Sequence, residues 1–234
     1  MSNFKNVISF GDSFFEGAEL TTVLPDKKYV APALVSDFLG VPFYNFASSG
    51  VGILSIIDQI TNAEKKSLLT PESLVFFSLP PSGRIDFFQT DNSKFTLDYW
   101  YFNGVLNGTF DGPVHKFINK NESFIKYKKL HDGIGQSTDF IKMGDVIHFS
   151  GVCGLFEKLK PYKSIGVIGH PQHIMTSGYS DMFNQILKNN NVLFLNDGFT
   201  GWSKENEFSI MEYGHPGIDA HEELSKVLIK TLKL

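Results

Sequence analysis

Two short stretches at opposite ends of the chain hold the parts of a nucleophilic acyl transfer. Near the N-terminus the run "NVISF" stops at Gly11-Asp12-Ser13, and near the C-terminus "MEYGHPG" places Glu212 three residues before His215. A serine hydroxyl is a weak nucleophile until an imidazole takes its proton, and that imidazole needs a carboxylate to fix its tautomer and stabilise its charged form. Ser13, His215 and Glu212 are expected to fill these three roles, because a loop glutamate can curl back to the second ring nitrogen within one turn of chain. Asp197 and Asp219 are rival acids, although Asp219 fits better as the N-cap of a last helix, "DAHEELSKVLIKTLKL", with Glu222 three residues on. His221, in the first turn of that helix, is expected at the surface.

Positioning these residues requires a scaffold, and the chain spells one out. Short β-rich runs bounded by turn residues recur at 6–10, 42–47, 73–79, 164–170 and 191–197, with helix-period segments at 28–40, 51–66 and 177–190 between them. Strand and helix in alternation predict an α/β fold with a parallel five-stranded sheet and right-handed crossovers. The alternation breaks over residues 85 to about 145, an insertion between the third and fourth strands. Two Asn-Gly turn signals in "KFTLDYWYFNGVLNGTFDG" make this a hairpin-like excursion followed by one or two helices. It either caps the sheet edge or forms a lid or wall of the ligand site. The whole chain, 1–234, reads as a single domain.

In an open parallel sheet the ligand crevice lies beyond the carboxyl ends of the strands. Ser48-Ser49-Gly50 follows the second strand, Pro80-Pro81-Ser82-Gly83-Arg84 the third, and His170-Pro171-Gln172-His173 the fourth. The backbone N–H groups of Ser13 and Gly50 are therefore candidate oxyanion donors. Asp12 is expected to brace its own turn through backbone amides. His170 and Trp100 are candidate pocket residues. A metal at His170 and His173 is not expected, for want of a third ligand at suitable spacing. "SGVG" lacks the glycine and the acid of a dinucleotide site.

Composition excludes several classes. A net charge of −4 leaves no basic face for nucleic acid, and the lysine-rich stretch 116–130 reads as a solvated helix face. No apolar run is long enough to span a membrane, and no secretory signal opens the chain, so a soluble, unexported protein without membrane partners is expected. The one cysteine, Cys153, excludes an internal disulfide and reads as a small buried hydrophobe. Among 21 basic residues the one arginine is Arg84, at the carboxyl rim.

Taken together, "GDSFFEG", "NFASSG" and "EYGHPGIDAH" resemble the SGNH or GDSL family of hydrolases: Gly-Asp-Ser after the first strand, Asn-x-x-x-Ser-Gly after the second, acid-x-x-His-Pro before the last helix. The resemblance spans nearly the whole chain. It implies a flavodoxin-like three-layer α/β/α sandwich, Ser13 as nucleophile, His215 as base, Glu212 as acid and Gly50 as oxyanion donor. It further implies an esterase without cofactor, acting through an acyl-enzyme on a small-molecule or carbohydrate-borne acyl ester. The family commonly has aspartate at the acid position. Its third block, Gly-x-Asn-Asp, supplies an asparagine to the oxyanion hole, whereas this chain reads "FSLPPSGR" there. Ser78, Ser82 and Arg84 are the candidate replacements, with an Arg84 ion pair to Asp86 or Glu212 as the structural alternative. If nothing replaces that donor, the same fold would serve as a glycan-binding module; a nucleotide or phosphate binder is a further alternative.

Overall fold

The computed structural model describes residues 4–20, 29–88, 94–98, 138–169, 180–212 and 214–233. Strands β1 (Asn6–Phe10) and β3 (Ser73–Leu79) are buried along their whole length. A strand with no exposed face belongs in the middle of a sheet covered on both sides. These two are neighbours in a five-stranded, wholly parallel sheet of order β2-β1-β3-β6-β7, with β2 at Phe43–Asn45, β6 at Lys163–Ile168 and β7 at Val192–Leu193. Between β3 and β6 come β4 (Arg84–Phe88) and β5 (Lys94–Asp98), paired antiparallel as a separate ribbon. The sheet is the expected one. Its edge strands β2 and β7 are shorter than the sequence runs.

Alternation along the central strands sends side chains to two cores. Ile8, Phe10, Val75 and Phe77 pack beneath α3 (Ile53–Lys65), α4 (Thr138–Leu159) and α5 (Ser180–Asn189). Val7, Leu74, Phe76 and Val167 face α2 (Ala31–Leu39), α6 (Gly198–Glu205) and α7 (Ile218–Leu232). The result is the three-layer α/β/α arrangement. A one-turn helix, α1 (Ser13–Glu16), sits at the carboxyl end of β1.

The β4–β5 ribbon falls within the expected insertion. The Asn103-Gly104 and Asn107-Gly108 turn signals lie outside the described residues. Helix α4 begins at Thr138, so the regular crossover starts a few residues before the expected end of the insertion. Cys153, on α4, is half-buried rather than fully buried. No helix among the described residues is long and apolar enough to cross a membrane.

Candidate active site

The site is organised by the way β1 ends. Gly11 has φ +130°, and a Cβ there would lie 2.1 Å from Ser78 Oγ, so only glycine lets the chain break from the ladder against β3. Gln59 of α3 brackets this residue: Gly11 N–H donates to its Oε1 at 2.8 Å, and its Nε2 donates back to the Gly11 carbonyl at 3.1 Å. Asp12 then caps α1, accepting from Phe14 N–H at 3.3 Å, and Gly17 ends that helix in the left-handed region. Ser13 is thereby held at the first position of a helix on the sheet rim, with 6% of its surface exposed.

His215 meets Ser13 from the loop ahead of α7. Its Nε2 lies 2.6 Å from Ser13 Oγ, and its ring packs against Phe14 with centroids 5.1 Å apart. The other ring nitrogen, Nδ1, faces the carboxylate of Glu19, which also accepts the His215 main-chain N–H at 3.2 Å. A carboxylate can only accept, so it holds the proton on Nδ1 and leaves the Nε2 lone pair toward Ser13. The arrangement can pass a proton from hydroxyl to imidazole and balance the resulting charge.

The carboxylate is therefore not the expected Glu212. Gly214 N–H donates to the Met211 carbonyl at 3.0 Å, Met211 N–H donates to the His215 carbonyl at 2.8 Å, and Ile210 bridges Pro216. That geometry puts Glu212 at an exposed hairpin tip while His215 lies at its base. Asp197 is exposed at the start of α6. Asp219 lies inside the first turn of α7, whose cap is Gly217, and its carboxylate accepts from Ser209 N–H at 2.8 Å. His221 is 2% exposed rather than at the surface: its Nδ1 accepts from Ala31 N–H at 3.2 Å at the start of α2, and burial lowers its pKa to about 3.

Asp12 is wholly buried, and its surroundings reassign two oxyanion candidates. Ser78 Oγ donates to Asp12 Oδ1 at 2.8 Å and accepts from Asp12 N–H at 3.0 Å, which occupies the hydroxyl away from the Ser13 rim. Arg84 Nη1 lies 3.3 Å from Asp12 Oδ2. Among the described residues its ion-pair partner is Asp12, not Asp86 or Glu212. Burial raises the Asp12 pKa, opposed first by the Arg84 guanidinium and then by Ser78 and Phe14 N–H. Ser82 is buried beside the paired prolines. His170, His173 and Trp100 lie outside the described residues.

Among the described residues neither Ser13 N–H nor Gly50 N–H has an acceptor, and Gly50 sits exposed at φ +72°. Around them, Asp86 caps α3 by accepting Gly52 N–H at 3.0 Å and Ser55 N–H at 2.8 Å. Asn45 ties the rim together, accepting from Ser9 Oγ at 2.9 Å and donating to the Phe15 carbonyl at 2.8 Å. Glu19 and Gln59 were not singled out by sequence reasoning, and Asp86 only as a partner for Arg84. Glu19 had a signal, six residues after Ser13 in the same glycine-rich stretch. Gln59 carried none, since its partners there are the main-chain groups of Gly11.

No family model matches the sequence, and no curated protein does. Solved structures do match in shape. A member of the lipolytic G-D-S-L family from Veillonella parvula aligns over 96% of both chains at 10% identity with a TM-score of 0.50. The psychrotrophic esterase EstA from Pseudoalteromonas aligns over 98% of this chain and 97% of its own at 13% identity, with a TM-score of 0.48. Phospholipase A1 from Streptomyces albidoflavus covers 94% and 95% at 14% identity, with a TM-score of 0.47. The parallel sheet with its two helical layers, and the overlap with the Veillonella parvula structure along nearly the whole chain, give the protein the fold of the SGNH/GDSL hydrolases.

Proposed function

We propose that the chain is a serine ester hydrolase working through Ser13, His215 and Glu19. His215 Nε2 takes the hydroxyl proton as Ser13 Oγ bonds to the ester carbonyl carbon. The oxyanion of the tetrahedral adduct is met by the N–H groups of Ser13 and Gly50. Collapse breaks the carbon–oxygen bond to the alcohol, which leaves with the proton carried by His215. Water, deprotonated by the same nitrogen, then frees the acyl group and restores Ser13. Glu19 stabilises the imidazolium that forms in each half-reaction.

The observation that carries this reading is the single imidazole placed 2.6 Å from a serine hydroxyl on one side and against a carboxylate on the other. The substrate in this reading is a small or carbohydrate-borne acyl ester, such as an acetyl ester. Pro80 and Pro81 offer no amide, and with no third-block asparagine the hole has two main-chain donors. A missing donor costs about 100- to 1,000-fold in turnover, so the enzyme is expected to be slow. A fluorophosphonate probe tests the proposal: a mass adduct on Ser13, lost in His215→Ala, is expected. A folded protein that stays unlabelled would overturn it. A panel of acyl esters then identifies the acyl group.

A further inference from the structure

One side chain near the relay is left unexplained by it. Glu16, one turn along α1 from Ser13, turns its carboxylate to the loop after β2: Oε2 accepts Ser49 N–H at 2.6 Å and also bonds the Ser49 hydroxyl. The same loop is fixed at two further points. Ser48 N–H donates to the Gly11 carbonyl at 3.0 Å, and Gly52 N–H to Asp86. Between these anchors the N–H groups of Gly50 and Val51 have no acceptor among the described residues. Ser48 to Gly50 are exposed, and a Cβ on Gly50 would meet nothing within 4 Å, so packing does not hold this residue in place.

We infer that Glu16 is a positioning residue for the oxyanion hole: by gripping Ser49 it fixes the direction in which Gly50 N–H points relative to Ser13. The inference rests on the ester-hydrolase reading above. Its physical basis is that oxyanion stabilisation depends on donors already aimed before charge develops; a donor on a loose loop must be reorganised at that moment. Glu16 and Ser13 share one helical turn, so the clamp ties the second donor to the element that carries the nucleophile and the first. The segment 13–19 then supplies the nucleophile at Ser13, the loop clamp at Glu16 and the imidazole partner at Glu19.

Two readouts on Glu16→Ala and Glu16→Gln test this. In amide hydrogen exchange, segment 48–50 of Glu16→Ala is expected to exchange at least ~10-fold faster than wild type, with the β1 and β3 amides unchanged; unaltered exchange would overturn the clamp. In p-nitrophenyl acetate hydrolysis, kcat is expected to fall about 10- to 100-fold with KM within about twofold, less than the loss of a donor outright. Glu16→Gln, which keeps a carbonyl acceptor for Ser49, is expected to recover most of that loss. Equal kcat in all three proteins, with the loop loosened, would also overturn the inference. The exchange readout decides the clamp even if wild type proves inert to esters and to fluorophosphonate, so the two readings fail separately.

Discussion

Glu19 and His215 are joined across the length of the chain by two contacts on one carboxylate oxygen, the ring Nδ1–H and the main-chain N–H at 3.2 Å. The second contact matters because it fixes the carboxylate to the backbone that carries the imidazole. Glu19→Gln is therefore expected to keep the fold yet lower kcat by about 100- to 10,000-fold, through loss of the charge that balances the imidazolium. Glu212→Gln, at the hairpin tip, should stay within about twofold of wild type. Steady-state kinetics on a chromogenic ester distinguishes the two, and the opposite ranking would return the acid role to Glu212.

Arg84 and Asp12 form an ion pair of which the carboxylate has no exposed surface. Removing the arginine leaves a buried charge uncompensated, so Arg84→Met should destabilise by on the order of 3 kcal/mol in urea unfolding at neutral pH. The deficit should shrink as pH falls, because Asp12, already raised by burial, then protonates more readily. Asp12→Asn with Arg84→Met should recover part of the loss. A simple sum of the two single effects would place Arg84 outside the Asp12 network.

His148 and His221 make the fold sensitive to acid. Burial lowers His148 to about 4 and His221 to about 3, against an ordinary value near 6.5. Both are thus favoured neutral in the folded state, and the unfolded chain takes up their protons first. Their contribution to stability is complete above about pH 6.5 and is lost progressively as pH falls towards 4 and then 3. Chemical denaturation at pH 7, 6, 5 and 4 should show this slope. His148 Nδ1 has no hydrogen-bond partner among the described residues, so His148→Leu should flatten the curve without a large loss at pH 7. A slope unchanged in that variant would remove His148 from the account.

The parts of the fold legible in the sequence were those whose signal is local. β1 and β3 were bounded to the residue because their runs end at Gly11 and Pro80, and a buried parallel strand has no solvent side to blur its pattern. Ser13, which follows β1 at the rim, and His215, in the loop ahead of the last helix, are the sequence candidates that the structure brings within 2.6 Å of each other. Sequence distance to the histidine points to Glu212, but the Gly214 N–H bond back to the Met211 carbonyl leaves Glu212 exposed, and a one-turn helix ending in Gly17 brings Glu19 in. Ser78 was placed on the rim by position, yet the hydroxyl is drawn inward by Asp12, a preference that only the register of β1 against β3 creates. His221 was placed at the surface for its position near a helix start; its burial comes from the packing of α7 on α2.

Gly169, just after β6, gives a way to reach the imidazole without touching it. A Cβ at this position would lie 2.3 Å from Phe14 Cδ2, and the glycine carbonyl accepts Thr200 N–H at 3.1 Å, so the backbone is pinned and the ring must give way. Phe14 is the ring against which His215 packs. Gly169→Ala should accordingly cost about 1–3 kcal/mol by overpacking and also depress turnover by displacing the imidazole from Ser13. Adding Phe14→Leu removes the clash and should restore stability, while activity returns only in part because the ring beneath His215 is gone. Thermal unfolding and ester kinetics on the single and double variants check both. A Gly169→Ala protein with normal turnover would mean that Phe14 fills space without aligning the histidine.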